Sequence, residues 1–220
     1  MVKREKIYPE SKVELSPLVA RHYDLLLDLA TFGGYARFIR KAISDLGIKP
    51  EDSILDLGCG TGRNAALMMK YLGERGRIVG LDLLPEMKEQ FEERFKEEPR
   101  ASFLQQRIDL PFDLNEKYDL AFISFVLHGF PQPVRMVILE NIRRHLKPGG
   151  RLALLDWAEF SLSEKSKFFR WVFRKFECRY ALDFIGFDWK KILESFGFQV
   201  ETENFYFKKS IRLLISSLKP

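Results

Sequence analysis

The run Ile-Leu-Asp-Leu-Gly-Cys-Gly-Thr-Gly-Arg-Asn at residues 54–64 constrains the fold more than any other part of the sequence. A short apolar stretch leads directly into three alternate glycines, Gly58, Gly60 and Gly62, and a helical pattern follows them. Glycine allows a tight turn and a close approach of the backbone to a ligand, and the first turn of a helix has free N–H groups. The run therefore predicts a strand, a ligand-binding turn and a helix of an α/β domain.

Two ligand classes are compatible with this turn. A dinucleotide-binding turn has a third glycine three residues after the second, but Arg63 holds that position counted from Gly58 and Ala65 holds it counted from Gly60. Alanine is a tolerated variant there, so a nicotinamide-dependent oxidoreductase stays open. Asp56, at the strand end, would repel a pyrophosphate but suits a ligand that carries an amino group. An ordinary turn without a ligand is a poor explanation for a strand-end carboxylate followed by alternate glycines.

After this turn, short apolar runs alternate with helical patterns, which is typical of an α/β fold with a mostly parallel sheet. Strands are predicted at residues 53–57, 77–82, 101–106, 118–124, 151–156, 199–205 and 210–216. Helices are predicted at residues 17–30, 35–46, 63–72, 85–96, 133–146 and 189–196. We expect an N-terminal helical cap at residues 1–50, a ligand-binding domain at 51–220 and a lid insertion at about 157–187.

The composition is that of a globular protein, with 46% hydrophobic and 30% charged residues in a chain of 220. The net charge of +5 permits a nucleic acid or an anionic membrane surface as a partner without requiring either. Two cysteines exclude a disulfide framework, and neither a leader nor a membrane span is visible, so a cytoplasmic location is expected. Few amides beside many charged residues favour a thermophilic source.

The segment from Asp56 to Gly62 resembles motif I of the class I S-adenosylmethionine-dependent methyltransferases. Further matches follow in the order of that family: Gly80-Leu-Asp82 at the second strand end, Arg107-Ile-Asp-Leu-Pro111 after the third, Tyr118–Ser124 as the fourth, and Leu146-Lys-Pro-Gly-Gly-Arg-Leu152 leading into the fifth. The similarity spans about residues 20–218. It implies a Rossmann-like class I methyltransferase fold, with a seven-stranded, mostly parallel sheet, helices on both faces and a reversed last strand.

The resemblance also implies S-adenosylmethionine as cofactor and a set of residues that hold it. Asp82 would accept hydrogen bonds from the ribose hydroxyls, Leu83 would pack on the adenine, and the acid at Asp109 would hold the adenine edge. From the N-terminal cap, Tyr23 and Arg37 would close over the methionine end. The cofactor residues expected in the main domain are Asp56, Gly58, Cys59, Gly60, Thr61, Asp82, Leu83, Arg107, Ile108, Asp109 and Ser124.

The acceptor and the catalytic base are less constrained. His128 lies just past the fourth strand, where a neutral imidazole could act as general base, although packing near the cofactor explains it equally well. Nothing after that strand matches an amino-group DNA methylase, because the residues are Ser124-Phe-Val-Leu127. The nearest likeness is to the ubiquinone/menaquinone C-methyltransferase (UbiE) branch, from whose N-terminal signature this chain departs at Leu27, Thr31, Tyr35 and Phe38. The expected acceptor is therefore a small hydrophobic or aromatic molecule, and a quinone-like molecule is one candidate rather than a requirement.

Residues 157–189 interleave aromatic and basic side chains, and a helical wheel places Phe168, Phe169, Val172, Phe173, Phe176 and Tyr180 on one broad face. Three interpretations compete for this segment: packing on the core, a lid over the acceptor, or contact with a membrane surface or nucleic acid. The alternatives for the whole protein are a methyltransferase acting on protein lysine or RNA, with nucleic acid not favoured, and a non-catalytic protein that binds S-adenosylmethionine. A monomer or a homodimer is expected.

Overall fold

In the computed structural model, which describes residues 7, 8, 10, 11 and 34–219, one seven-stranded sheet has helices on both faces. Its strands are β1 (Ser53–Leu57), β2 (Arg77–Asp82), β3 (Ala101–Gln105), β4 (Tyr118–Ser124), β5 (Leu146–Trp157), β6 (Phe198–Tyr206) and β7 (Ile211–Leu218). The α-helices are α1 (Gly34–Ser44), α2 (Arg63–Met68), α3 (Pro85–Arg94), α4 (Gln132–His145), α5 (Lys167–Phe176), α6 (Arg179–Phe184) and α7 (Trp189–Ser195). The helix predicted at residues 17–30 lies outside the described residues.

The strand order is β3-β2-β1-β4-β5-β7-β6, in which only β7 runs antiparallel to its neighbours. The chain moves outward from β1 to β3 and then returns to place β4 on the other side of β1. Asp56 of β1 is thus in register with Gly80 of β2 and with Phe122 of β4. A crevice forms where the strand order reverses, at the carboxyl ends of the strands. The predicted sheet, with its reversed last strand, is confirmed.

Alternate residues of the central strands enter two separate hydrophobic cores, because successive side chains of a strand point to opposite faces. Leu55 and Leu57 join the core under α4 and α7, whereas Ile54 joins the core under α1, α2 and α3. Every residue of β1 is buried, as is typical of a central strand covered by helices on both sides. The carboxyl edge of this rigid centre is where the chain leaves the sheet for its glycine turn.

Strand β5 is longer than predicted, since it starts at Leu146 rather than at Arg151. Leu146 pairs with Tyr118, and the register then shifts before Arg151 pairs with Leu120. The Lys-Pro-Gly-Gly sequence, which lies outside the strand predicted at residues 151–156, is therefore the irregular first part of β5. At the other end of the sheet, the turn between β6 and β7 has three consecutive residues with positive φ, Phe207, Lys208 and Lys209.

Residues 158–188, between β5 and α7, contain α5 and α6 and are called the lid segment here. Arg135 of α4 fastens this segment to the domain: its guanidinium is fully buried and donates to the carbonyl of Tyr180 at 2.6 Å and to Asp183 at 3.1 Å. It also donates to the carbonyls of Leu127 and His128 at 3.3 Å. One buried cation therefore joins the lid segment to the turn after β4.

Only part of the apolar face that the helical wheel gives α5 is buried. Phe173 is buried and Phe169 packs against the core, but Phe168 is 75% exposed. The part of this apolar face that meets the core therefore includes Phe169 and Phe173 but not Phe168, so core packing accounts for only part of the face. Across the described ranges, no helix combines the length and the apolar character that crossing a bilayer requires.

Candidate functional site

A cavity of about 860 Å³ lies at the carboxyl edge of β1, β2 and β4. It extends from the glycine turn to the lid segment and has a polar end and an aromatic end. Most residues that the sequence assigned to a site line this one cavity. They are Gly58, Cys59, Gly60, Thr61, Asp82, Leu83, Arg107, Ile108, Asp109, Ser124 and His128.

The glycine turn forms the floor of the polar end. The backbone N–H groups of Gly58 and Cys59 donate to the carbonyl of Leu81 at 2.8 and 3.0 Å, which fixes the turn against β2. A Cβ on Gly58 would lie 2.5 Å from Cγ2 of Val126, so this glycine is needed for packing. A Cβ on Gly60 would have nothing closer than Sδ of Met87 at 3.9 Å. Gly60 therefore leaves open space that a bound molecule can fill.

Asp82 presents a fixed carboxylate beside this floor. Its Oδ2 accepts a hydrogen bond from the N–H of Gly60, and its Oδ1 accepts one from the N–H of Leu84, both at 3.0 Å. Burial raises the pKa of Asp82, and these backbone bonds oppose the rise. Each carboxylate oxygen can accept a further hydrogen bond. The position suits a ligand with two neighbouring hydroxyl groups.

Asp56 lies behind the floor rather than in it. Its side chain is 2% exposed, and its Oδ2 has no hydrogen-bond partner within the described part of the chain. Burial, together with the negative charge of Asp82, raises the pKa of Asp56 to about 8. Asp56 does not line the cavity: it lies one residue before the end of β1, and its neighbours in the sheet are Gly80 of β2 and Phe122 of β4. The structure thus places Asp56 behind the floor of the cavity, and its contact with a ligand stays a prediction. With a pKa of about 8, Asp56 is largely protonated at neutral pH in the ligand-free protein.

A hydrogen-bonded group forms one wall of the polar end. Arg107 donates from Nε to Oδ1 of Asp109 at 3.1 Å, and Tyr8 donates to Oδ2 of Asp109 at 2.8 Å. Burial works against the charge of Asp109, but the bonds from Arg107 and Tyr8 prevail and lower its pKa. Burial and Asp109 together raise the pKa of Tyr8 to about 12. Tyr8 was missed from the sequence, since nothing local marks an isolated tyrosine near the N-terminus.

His128 stands at the junction of the polar and aromatic ends. Its Nδ1 lies 2.7 Å from Oδ1 of Asp156, and its Nε2 lies 3.4 Å from Oε2 of Glu177, which belongs to the lid segment. Burial disfavours the charged ring, but the two carboxylates outweigh burial and raise the pKa of His128 to about 10. His128 is therefore an imidazolium at neutral pH and cannot accept a proton. This charge state differs from the neutral base predicted at this position. Both carboxylates come from distant parts of the chain, so no local pattern indicated them.

The aromatic end is built by side chains that the sequence did not assign to the site. Phe125 directly follows β4 and has a φ of +53°, a conformation that is uncommon for a bulky residue and often marks a functional site. Ser124 Oγ and Trp157 Nε1 are buried and lack a hydrogen-bond partner among the residues described. The aromatic residues lining this end are Tyr35, Phe38, Phe125, Phe130, Trp157, Phe169 and Phe207.

The two cap residues predicted to close the site have different outcomes. Tyr23 lies outside the described residues. Arg37 is exposed on α1 and does not line the cavity, because α1 turns its other side, with Phe38 and Ile39, toward the core. The prediction for Arg37 is corrected accordingly. Tyr35 of the same helix does line the cavity, and the guanidinium of Arg63 lies 5.2 Å from its ring centre.

Cys59 is a packing residue rather than a reactive group. Burial and the nearby acids Asp56 and Asp82 raise the pKa of the Cys59 thiol well above its usual value, so this thiol is unreactive. Its Sγ would be 2.7 Å from a Cβ on Gly80, which fits a small packing residue. Within the described ranges, no group of three or more His, Cys, Asp or Glu side chains could hold a metal ion.

S-Adenosylmethionine fits the residues present. Open space above Gly60, spare acceptor capacity on Asp82 and the unpartnered Ser124 Oγ all face one cavity. The carboxylate of Asp82 at the cavity wall disfavours a pyrophosphate and favours a ligand that carries hydroxyl groups and positive charge. The fold and the site together define a Rossmann-like domain that suits an amino acid–nucleoside conjugate. Domains of this kind are those of the S-adenosylmethionine-dependent methyltransferases.

Comparison with known proteins agrees with this class. Residues 54–150 match the family described as a methyltransferase domain. An uncharacterized methyltransferase of Synechocystis sp. is 32% identical over 201 residues, which are 87% of this chain and 89% of that protein. A 2-phytyl-1,4-naphtoquinone methyltransferase of Synechococcus elongatus is 32% identical over 152 residues, which are 67% of this chain and 64% of that protein. The match thus spans just under two thirds of that second relative.

The fold has solved counterparts as well. The crystal structure of an S-adenosylmethionine-dependent methyltransferase from Aquifex aeolicus superposes with a TM-score of 0.65 at 21% identity, covering 93% of this chain and 100% of that one. The chain belongs to the class I S-adenosylmethionine-dependent methyltransferases. This confirms the family and the cofactor that motif I predicted.

Proposed function

We propose that this protein transfers the methyl group of S-adenosylmethionine to a small hydrophobic, aromatic acceptor of quinone-like size. The observation that carries the proposal is the continuity of the cavity: the polar end around Gly60 and Asp82 opens directly into a chamber walled by Phe125, Trp157 and Phe169. An aromatic chamber favours a flat apolar ligand. The relative from Synechococcus elongatus, which is named for a naphthoquinone, supports the same acceptor class.

The protein's part in such a transfer is mainly alignment. Bound S-adenosylmethionine supplies an activated methyl group. Asp82 would bind the ribose hydroxyls, the wall of Arg107, Asp109 and Tyr8 would hold the adenine end, and the glycine floor would set the depth of the ligand. The aromatic walls exclude water and orient the acceptor face. Fixing both reactants in one cavity accounts for a large part of the rate enhancement expected of such an enzyme.

Replacing Asp82 tests the cofactor site. Asp82→Ala should weaken S-adenosylmethionine binding more than tenfold, because an acceptor of hydrogen bonds from buried hydroxyls is lost, a change worth about 1.5–3 kcal/mol. Arg37→Ala is the matched control and should bind normally, since Arg37 does not line the cavity. Isothermal titration calorimetry measures both. Normal binding by Asp82→Ala would remove this residue from the site.

The acceptor class is tested by transfer of labelled methyl groups. Wild-type protein and labelled S-adenosylmethionine are incubated with a lysate of the source organism, which is then split into lipid, small-molecule, protein and RNA fractions. Label in the lipid or small-molecule fraction supports the proposal. Label in protein or RNA identifies a macromolecular methyltransferase instead, and binding without label in any fraction identifies a non-catalytic protein.

The outer face of α5, defined as Phe168, Trp171, Arg174 and Lys175, supports peripheral contact with an anionic membrane. Phe168 and Trp171 are 75% and 55% exposed, and their rings stack at 6.4 Å. Arg174 and Lys175 are exposed beside them, and the ammonium of Lys175 lies 4.7 Å from the Trp171 ring centre. Exposed aromatic rings with adjacent cations suit the interface of a negatively charged bilayer. A membrane is also where a lipid-soluble acceptor resides.

Vesicle sedimentation tests this contact. Wild-type protein should bind vesicles of phosphatidylglycerol and phosphatidylcholine, and the double variant Phe168→Ala with Trp171→Ala should lose at least tenfold in binding. Tyr71→Ala, which removes a 43% exposed ring elsewhere, is the control and should bind normally. Equal binding by all three proteins contradicts the membrane contact. Salt-sensitive binding of RNA without vesicle binding would assign the same surface to nucleic acid.

A further inference from the structure

The lid segment brings the carboxylate of Glu177 into the cavity, opposite a ring nitrogen of His128. Glu177 lies between α5 and α6 and lines the cavity, as His128 does. Neither side chain is shut off from the chamber, since His128 is 13% and Glu177 is 24% exposed. The pair is separate from the glycine floor and from Asp82, so binding of S-adenosylmethionine does not account for it.

The imidazole of His128 is held in one orientation from behind. Asp156 of β5 binds its Nδ1 at 2.7 Å and also accepts the backbone N–H of His128 at 3.2 Å. Arg135 of α4 donates to the carbonyl of His128 at 3.3 Å, and the thiol of Cys178 lies 3.7 Å from the same oxygen. With Nδ1 engaged, only Nε2 is directed at the chamber. The charged groups facing His128 are thus Asp156, Glu177 and, through the main chain, Arg135.

Nε2 and Oε2 are close enough together for one hydroxyl group to contact both atoms at once. The two atoms are 3.4 Å apart, which is too long for a strong charge-assisted hydrogen bond. An oxygen placed about 2.8 Å from each atom satisfies both at ordinary hydrogen-bond length. That oxygen would accept from the imidazolium N–H and donate its own proton to the carboxylate. A hydroxyl can do both at once, whereas an ether or a quinone carbonyl has no proton to give.

We propose that His128 and Glu177 together bind the hydroxyl of an aromatic acceptor, and that Glu177 receives its proton. In this step the O–H bond breaks, the proton goes to Oε2 of Glu177, and the electron pair stays on the oxygen. The adjacent imidazolium stabilises the resulting anion, whose charge spreads into the aromatic ring held by Phe125 and Trp157. This inference rests on the proposed function and specifies its acceptor as a hydroxylated ring, the reduced rather than the oxidised form of a quinone-like molecule.

Binding of 2-naphthol tests the pair directly, because naphthol and naphtholate absorb at different wavelengths. Wild-type protein saturated with S-adenosylhomocysteine should bind 2-naphthol at least tenfold more tightly than 2-methoxynaphthalene, and the bound naphthol should ionise at least one pH unit below the free compound. Glu177→Gln should abolish both effects while its affinity for S-adenosylhomocysteine is unchanged. Glu201→Gln, an exposed acid on β6, is the matched control and should behave as wild type.

The outcomes separate this inference from the proposed function. Equal affinity for 2-naphthol and 2-methoxynaphthalene, an ionisation shift that persists in Glu177→Gln, or no binding of either probe overturns the role of the pair. Failure of the wild type to bind S-adenosylmethionine or S-adenosylhomocysteine would instead overturn the proposed function. Nitrogen NMR of labelled histidine adds a second measurement: His128 should remain doubly protonated at pH 8, and a neutral ring there would contradict the proposed hydrogen bond from Nε2–H.

Discussion

At the scale of single residues, Gly58 and Gly60 have similar backbone angles but different structural roles. Gly58 and Gly60 have φ angles of +73° and +54°, which the motif alone could not distinguish. The structure shows that Val126 approaches Gly58 closely, whereas Gly60 borders the cavity. One glycine therefore serves the packing of the fold and the other leaves room for the ligand.

Alanine substitutions should distinguish the packing role of Gly58 from the ligand-binding role of Gly60. Gly60→Ala should cost about 1–2 kcal/mol for its left-handed backbone and should lose most binding of S-adenosylmethionine, because the methyl group enters the cavity. Gly58→Ala should cost roughly 1–3 kcal/mol more, because its methyl group would overlap Val126. Urea unfolding and calorimetry measure stability and binding. Equal destabilisation by the two variants would contradict the assignment.

The charge state of His128 depends on acids that are distant from it in the sequence. Sequence position alone indicated a base near the end of β4, and that position is correct. Asp156 follows 28 residues later and Glu177 still later, and no sequence pattern links either acid to His128. The folded chain sets the protonation state, so a neutral base and an imidazolium could not be told apart beforehand.

At the scale of elements, Arg135 determines how α4 and α6 meet. A fully buried arginine in the first turn of a helix gave no distinct signal, since basic residues usually mark a solvent-exposed side. Its partners are mainly carbonyls, and the rings of Phe184, Phe187 and Trp189 surround its guanidinium within 5.9 Å. Burial lowers the pKa of Arg135, and Asp183 opposes this effect.

Removal of this cation should loosen the lid segment. Arg135→Met should destabilise the protein by about 3 kcal/mol, because several buried carbonyls lose their donor. Asp183→Asn should cost less than about 1 kcal/mol, since Asp183 is 52% exposed and its ion pair is screened by solvent. Urea unfolding gives the stabilities, and limited proteolysis should cleave residues 158–188 faster in Arg135→Met. Equal effects of the two substitutions would refute the buried anchor.

At the scale of the whole molecule, burial of charge makes stability depend on pH. The pKa of Asp56 is raised to about 8 in the folded protein, whereas an unfolded aspartate titrates near 4. The folded state therefore binds more protons than the unfolded state between about pH 4 and pH 8. Since stability falls with rising pH wherever the folded state holds the extra proton, the ligand-free protein loses stability across this range. His128, raised to about 10, extends the loss to higher pH.

The variant Asp56→Asn isolates the contribution of Asp56 to the pH dependence of stability. It should exceed wild type in stability by more at pH 8.5 than at pH 5, because wild type loses stability as the pH rises between the unfolded pKa near 4 and the folded pKa of about 8, whereas Asn does not titrate. His128 is present in both proteins, so its contribution cancels in the comparison. Urea unfolding of ligand-free protein at the two pH values measures the difference. A gap between the proteins that is the same at both pH values would disprove the raised pKa of Asp56.

The sequence by itself determined the sheet, the glycine turn, the family and most residues of the polar end. These follow from short-range patterns: apolar runs form buried strands, and residues at neighbouring strand ends meet at one edge of a parallel sheet. Only the tertiary structure decided the aromatic chamber, the exposure of Phe168 and Arg37, and the pairing of His128 with Asp156 and Glu177. Burial and charge depend on which distant segments come together, and no local spacing in the chain records that.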